Sequence, residues 1–168
     1  MHVRALPAVA VSLVALASGA HAACSPSLGA GISIIGANGF VTPGGRGHGS
    51  PAPFWDIIQL IGLPASAYVF RDIDDTSVAL TRNADNTVTM GATADTLIPL
   101  SQQFQIDCET CPAEASTAAP GTVIATNCNI KPQADTSLCL QVDRAPSDNL
   151  FVGTCGVVPG AQRFTFST

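Results

Sequence analysis

The chain has 168 residues, of which 46% are hydrophobic and 11% are charged, and its 7 basic and 12 acidic residues give a net charge of −5 with histidine neutral. This acidic balance argues against nucleic acid or an anionic membrane surface as a partner, because either would need a basic face to neutralise phosphate.

Residues 1–22 have the pattern of a secretory signal peptide. Arg4 supplies a positive charge, an apolar stretch follows, and small residues at Ala20 and Ala22 predict cleavage after Ala22. A membrane anchor is the alternative, but the apolar stretch is shorter than the roughly 20 residues that a bilayer crossing needs. We therefore expect an exported, extracellular protein without membrane insertion.

The predicted mature chain covers residues 23–168, a length typical of a single domain. Loss of Arg4 leaves six basic residues against twelve acidic ones, and the net charge becomes −6.

All six cysteines follow the predicted cleavage site, and an even number in an exported chain predicts three disulfides. The cysteines are Cys24, Cys108, Cys111, Cys128, Cys139 and Cys155. The spacing of Cys108 and Cys111 also occurs in redox and zinc motifs, but there is no second such pair, and export favours structural bridges. The cysteine order leaves the pairing open.

Short apolar runs with β-branched or alternating residues, separated by Gly and Pro, predict many short strands in a sandwich or a barrel. In chain order, the runs are 31–35, 54–58, 67–70, 87–90, 104–106, 138–142, 150–152 and 163–166. Turns are predicted at 37–39, 43–45, 84–86 and 159–160.

Residues 112–122 are rich in Ala, Ser, Thr and Pro and are interpreted as a surface loop. A linker between two domains is the alternative, but neither side is long enough for a comfortable separate core.

An internal repeat organises the second half of the chain. Residues 75–80 match 135–140 and residues 101–106 match 161–166, both at an offset of 60, while residues 85–89 match 148–152 at an offset of 63. A degraded first copy fits residues 29–34 and 53–57. Three copies of a four-strand unit are therefore predicted, at about 29–59, 67–107 and 127–168.

The third copy resembles the ricin B-type lectin repeat. The residues that carry the resemblance are Cys139-Leu140-Gln141-Val142, Asp148-Asn149-Leu150-Phe151-Val152-Gly153-Thr154-Cys155 and Gln162-Arg163-Phe164. The match is weaker in the second copy and poor in the first. The resemblance, in particular to small secreted trefoil proteins of fungi, implies an all-β fold, the β-trefoil, and carbohydrate binding.

One aromatic residue from each copy (Trp55, Phe104 and Phe164) is expected to fill a shared core, since one four-strand unit cannot bury its apolar face alone. Gln102 and Gln162 are expected to satisfy backbone groups at turns.

The resemblance also implies a disulfide between Cys139 and Cys155. The other four cysteines are then expected to tie the chain start and the 112–127 loop to the rest of the fold.

The usual sugar-site residues of this family are largely replaced. Gln141 stands in place of a carboxylate, Gly153 in place of an aromatic residue and Ala161 in place of an asparagine, while the second copy has Thr81 and Ser101. A galactose-type pocket is therefore not expected.

Substitute ligand-binding residues are available in both of these copies, although the same residues also suit turns that cap hairpins. The candidates are Asp143, Asp148, Asn149 and Phe151 in the third copy and Asp85 and Asn86 in the second.

The sequence offers little for catalysis. His48 is the only histidine of the mature chain, no Gly-x-Ser-x-Gly pattern occurs, and the glycine-rich segment 44–49 lacks the Lys-Ser/Thr ending of a phosphate loop. Asp72, Asp74 and Asp75 suggest a calcium or glycosidase site, but Asp75 begins the repeated turn. We expect neither an enzyme nor a bound metal or cofactor.

Two functions follow from the sequence. The first is a secreted lectin-like protein that binds a glycan. The alternative is a non-catalytic interaction protein, an effector or protease inhibitor, that uses loops 41–52 and 112–126 against an extracellular protein.

Overall fold

A computed structural model of the chain describes residues 23–43, 54–60, 67–142 and 149–168. In these ranges the prediction of an all-β fold is confirmed, with eleven strands, two single-turn 3-10 helices and no α-helix. The strands are β1 (Ala30–Gly36), β2 (Gly39–Phe40), β3 (Trp55–Leu60), β4 (Ala67–Asp72), β5 (Val78–Arg82), β6 (Thr87–Ala92), β7 (Phe104–Asp107), β8 (Val123–Pro132), β9 (Leu138–Val142), β10 (Leu150–Thr154) and β11 (Phe164–Ser167).

Six strands pair into a closed ring. Strand β1 pairs with β3, β3 with β4, β4 with β7, β7 with β8, β8 with β11, and β11 returns to β1, always antiparallel. Because the ring is closed, each of these strands has a paired neighbour on both sides. This protects the backbone from pairing with other chains.

The other strands extend hairpins from this ring. Strands β5 and β6 form a hairpin between β4 and β7, and β9 and β10 form one between β8 and β11. The two hairpins also pair with each other, because Leu150 of β10 lies opposite Val88 of β6 and Phe151 lies opposite Thr87. The short strand β2 pairs with β1. None of the helices in the described part of the chain is long and apolar enough to cross a membrane.

Large aromatic side chains fill the core. Trp55, Phe104 and Phe164 are each at most 1% exposed, and the indole N–H of Trp55 donates to the Val41 carbonyl at 3.0 Å. Phe70 lies between two of them, with its ring edge-on to Trp55 at 6.3 Å and to Phe104 at 5.7 Å between centroids. Such pairs add to the stabilisation that burial of the rings provides.

Three disulfides use all six cysteines. Cys139 is bonded to Cys155, the pair that the family resemblance implied, and this bond crosses the β9–β10 hairpin. The other bonds are Cys24–Cys111 and Cys108–Cys128. Two backbone hydrogen bonds of 2.9 Å between Cys24 and Cys108 hold the start of the described chain against the end of β7.

The longest strand, β8, was not among the predicted runs. Its buried positions alternate at Cys128, Ile130 and Pro132 but fall on two consecutive residues, Ile124 and Ala125, nearer its start. Asn127, between these segments, has φ of 53°, and the register against β11 shifts there. This bulge breaks the period-two pattern by which a strand is recognised in the sequence.

We predict that replacing both Cys139 and Cys155 by alanine lowers the free energy of unfolding by roughly 3 kcal/mol. The reason is that the bond closes a loop in the unfolded chain and so lowers the entropy of that state. The bond spans 16 residues, whereas Cys24–Cys111 spans 87. Loss of Cys24–Cys111 should therefore cost more, roughly 4.5 kcal/mol. Urea denaturation of the oxidised variants measures both, and the reverse order would contradict the chain-entropy explanation.

Tyr68 offers a test of the core by alkaline titration, since it is the only tyrosine in the sequence. Burial raises its pKa to about 12 from 10.0, against a weaker opposing hydrogen bond with Ser25, and the charge of Asp107 adds to the rise. The hydroxyl donates to the Pro26 carbonyl at 2.8 Å. Because the pKa is raised in the folded state, the protonated Tyr68 hydroxyl contributes to the free energy of unfolding. This contribution is complete below pH 10 and is lost as the pH rises towards 12.

We expect tyrosinate absorbance at 295 nm to appear near pH 12 in the folded protein and near pH 10 in denaturant. The Tyr68→Phe variant serves as the blank. Ionisation near pH 10 while the fold persists would contradict the buried position of the hydroxyl.

Candidate functional site

An open surface cavity of about 330 Å³ lies at the junction of the two paired hairpins. Its lining combines one end of β6 with the start of β10, which the pairing of Phe151 with Thr87 brings side by side. The lining residues are Asp85, Asn86, Thr87, Asn149, Leu150 and Phe151. The structure thus places four of the six sequence candidates, two from each repeat, around one space, which we call the junction cavity.

Asp85 supplies a carboxylate at the rim of the junction cavity. Its Oδ1 accepts hydrogen bonds from the Thr87 backbone N–H at 3.0 Å and from the Thr87 hydroxyl at 2.6 Å. Both bonds lower the pKa of this exposed carboxyl, and the bond from the hydroxyl has the larger effect. Both bonds use Oδ1, and no described residue donates a hydrogen bond to Oδ2.

Asn86 has a structural role in the same turn. Its φ of 68° is a left-handed conformation that asparagine tolerates better than most residues. The side-chain Oδ1 accepts from Arg82 Nε at 3.1 Å and Nη2 at 2.7 Å, and the backbone carbonyl accepts from the Val152 N–H at 2.9 Å. Asn86 therefore fastens the β5–β6 turn to β10.

Asn149 and Phe151 complete the polar and apolar surfaces of the junction cavity. Asn149 is exposed, and within the described ranges its side chain has no hydrogen-bond partner; Phe151 is half-buried. A carboxylate, an amide and a partly exposed aromatic ring are the groups that commonly bind the hydroxyls and the C–H face of a sugar. The other two candidates, Asp143 and Asp148, lie outside the described residues.

Two glutamines of the third repeat, Gln141 and Gln162, bind each other and the backbone nearby. Gln141 is 9% exposed, and its Oε1 accepts from Gln162 Nε2 at 2.8 Å. Gln162 also donates to the Thr154 carbonyl at 2.9 Å and accepts from the Gly156 N–H at 2.8 Å. A Cβ at Gly153 would lie 2.8 Å from Gln141 Oε1, so a larger residue at position 153 would displace Gln141.

The second repeat has the same arrangement with a shorter side chain. Gln102 Nε2 donates to the Thr81 hydroxyl at 3.0 Å and to the Ala92 carbonyl at 2.9 Å. A Cβ at Gly91 would lie 2.6 Å from Thr81 Oγ1. In both repeats, then, the residue in place of the carboxylate (Gln141 or Thr81) accepts a hydrogen bond from a buried glutamine and packs against a glycine.

Two other cavities differ from the junction cavity in chemistry. The first, of about 400 Å³, is mostly apolar and is lined by Gly31, Phe54, Ile73, Ala118, Pro120, Gly121 and Thr168. The second, of about 300 Å³, lies beside the same β5–β6 turn and is lined by Arg82, Asn83, Ala84, Leu100, Ser101, Pro132 and Ala134.

The acidic cluster at residues 72–75 consists of turn residues. Asp72 Oδ1 accepts from the Asp74 N–H, and Asp75 Oδ1 accepts from both the N–H and the hydroxyl of Ser77. Asp135 makes the same two bonds with Ser137, at the repeat offset of 60. In the described part of the chain, no group of three or more His, Cys, Asp or Glu residues could hold a metal ion. His48 and the rest of segment 44–49 lie outside the described residues.

Comparison of the chain with protein-family models and with curated proteins found no match to either.

We predict that Asp85→Ala lowers the melting temperature at neutral pH, because it removes both bonds to Thr87. A lowered pKa in the folded state means that the stabilisation is fully present above the ordinary value of 3.8 and is lost as the pH falls through the folded value. The difference between variant and wild type should therefore shrink below pH 3.8. Calorimetry from pH 2 to pH 7 tests this, with the exposed Asp74→Ala as the control; a constant difference would rule out a charge-dependent role.

Proposed function

We propose that the chain is an exported β-trefoil protein that binds carbohydrate at the junction cavity and catalyses no reaction. The observation that carries this proposal is the convergence of Asp85, Asn149 and Phe151 on one cavity of about 330 Å³. A cavity of this size is at the small end of the range for small-molecule sites.

The trefoil assignment is supported by the closed six-strand ring and by the two hairpins that separate its strands. Each full unit consists of a ring strand, a hairpin and a second ring strand: β4 to β7, and β8 to β11. The shared bonds of Asp75 and Asp135 add support at the level of single residues. The three disulfides support an oxidising compartment of the kind into which proteins are exported.

The chemistry of the junction cavity suits an uncharged sugar unit. The Asp85 Oδ2 atom is a free acceptor for a ligand hydroxyl, and Asn149 offers both a donor and an acceptor. Phe151 offers a ring for the C–H face, a contact of the same kind as aromatic packing in a core. Because Gln141 and Gln162 bind each other, the site would differ from the usual sugar site of the resembling family.

We predict that Phe151→Leu and Asn149→Ala each weaken glycan binding by about tenfold, a loss of roughly 1.4 kcal/mol. Leucine keeps the apolar packing of residue 151 and removes only the ring. Phe54→Leu is the matched control, because Phe54 is 45% exposed and lines the separate apolar cavity.

A glycan array on the oxidised mature protein would supply the ligand, and titration calorimetry would measure the three variants. Equal binding by all three, or no glycan bound at all, would contradict the proposal.

A second candidate function, binding of an extracellular protein, is favoured by the apolar cavity. Phe54 and Ile73 line it and are 45% and 37% exposed. Exposed apolar groups in one patch are typical of protein-binding surfaces. Under this alternative, Phe54→Leu would weaken partner binding while Phe151→Leu would not, and the same pair of variants therefore separates the two functions.

A further inference from the structure

Arg82 differs from the other basic side chains of the described ranges. Arg71, Lys131 and Arg163 each lie within 3.5 Å of a carboxylate oxygen, whereas Arg82 makes no such pair. Its hydrogen-bond partner is the neutral Oδ1 of Asn86, which accepts from Nε and Nη2. These two bonds fix the plane of the guanidinium and leave Nη1 without a described acceptor.

Arg82 lines the second cavity beside the β5–β6 turn, an open depression whose other lining groups suit a sugar ring. Ser101 adds a hydroxyl, and Leu100, which is 53% exposed, adds apolar surface. The Asn83 Nδ2 atom is engaged by Thr87 and Thr89, at 3.0 and 3.1 Å, which leaves its Oδ1 as an acceptor. We call this space the Arg82 cavity.

The charge of the whole protein makes a local cation significant. With a net charge of −5 for the full sequence, the protein's field repels an anionic ligand at long range. Asp135 lies near enough to sense Arg82, since its pKa is lowered first by its bonds to Ser137 and more weakly by the charge of Arg82. Both of the bonds to Asp135 use Oδ1 and come from Ser137, so this carboxylate is held by its own turn and does not pair with Arg82.

We propose that the Arg82 cavity binds the carboxylate of an acidic sugar residue, a uronic acid within an oligosaccharide. Nη1 of Arg82 and the remaining N–H of Nη2 donate to the carboxylate, the Ser101 hydroxyl and Asn83 Oδ1 bind ring hydroxyls, and Leu100 contacts the C–H face. The proposal deepens the proposed function, because it rests on carbohydrate binding and names the class of sugar. Both cavities border the β5–β6 turn, so an oligosaccharide with one acidic and one uncharged unit is the ligand proposed.

The test compares a disaccharide of one uronic acid and one neutral hexose with its methyl ester, which has the same rings and no charge. Titrated into ¹⁵N-labelled mature protein, the acid should shift the amide signals of Ser101 and Ala134. The ester should bind about tenfold more weakly, as expected for loss of a hydrogen bond between charged groups.

Ala134 provides variants that leave the Arg82–Asn86 contact intact. Ala134 is exposed at the cavity wall. Ala134→Glu places a carboxylate beside Arg82 and should weaken binding of the acid by about tenfold or more, while Ala134→Gln, of nearly the same size, should retain it. Arg163→Gln removes one positive charge outside the cavity and should also retain binding, which controls for net charge.

The outcomes distinguish this inference from the proposed function. Equal affinity for acid and ester, or equal loss in Ala134→Glu and Ala134→Gln, overturns the role of Arg82. Shifts confined to Asn149 and Phe151 with both sugars overturn the Arg82 cavity and leave the junction cavity supported. A third outcome is that the signals of Ser101 and Ala134 shift, that only the Ala134→Glu variant loses this response, and that Asn149 and Phe151 do not shift. This outcome supports the Arg82 cavity and contradicts the junction cavity. Absence of any shift overturns both.

Discussion

Closure of the six-strand ring is the constraint on which the rest of the described structure depends. The last strand, β11, pairs with both β8 and β1, so residues near the two ends of the described chain lie side by side. Ile34, for example, lies opposite Phe166, and both side chains are buried. Such contacts bring together residues far apart in sequence and are entropically costly to form, and the Cys24–Cys111 bond reduces that cost by restricting the unfolded chain.

The buried glutamines show how a repeated polar residue can stabilise one unit better than another. Gln162 uses both ends of its amide, donating to Thr154 and accepting from Gly156. Gln102 donates in the same way, but its buried Oε1 has no partner in the described structure. An unpaired buried acceptor costs free energy. The second repeat, which also lacks a disulfide across its hairpin, is thus held together more by packing, and Phe70 between Trp55 and Phe104 contributes to that packing.

The sequence predicted features that depend on local chemistry or on repetition. The turns at Asp75 and Asp135, the burial of Trp55 and the all-β class each follow from nearby residues or from the offset of 60. Strand β8 was missed because the bulge at Asn127 disrupts its alternation. The partners of Cys24 and Cys108 depend on how strands fold back on each other, which the spacing of cysteines does not encode.

In the candidate site, too, the sequence predicted the local features but not the contacts between distant residues. Asp85 and Asn149 were each recognised as polar turn residues, but their convergence depends on the pairing of β6 with β10, a contact between hairpins of different repeats. Arg82 was not singled out, because an isolated arginine has no signature in a sequence. The sequence did show that basic residues are few. Only the structure shows that Arg82, unlike the other described basic residues, has no carboxylate partner.

Asn86 links these observations, because one residue shapes both cavities. Its left-handed conformation turns the chain between β5 and β6, its carbonyl holds β10 through Val152, and its side chain orients Arg82. The junction cavity needs the first two of these contacts, and the Arg82 cavity needs the third. A residue whose polar atoms are largely engaged in this way is poorly suited to bind a ligand itself. Its contribution is to position the groups on either side that remain free, Asp85 Oδ2 in one cavity and Arg82 Nη1 in the other.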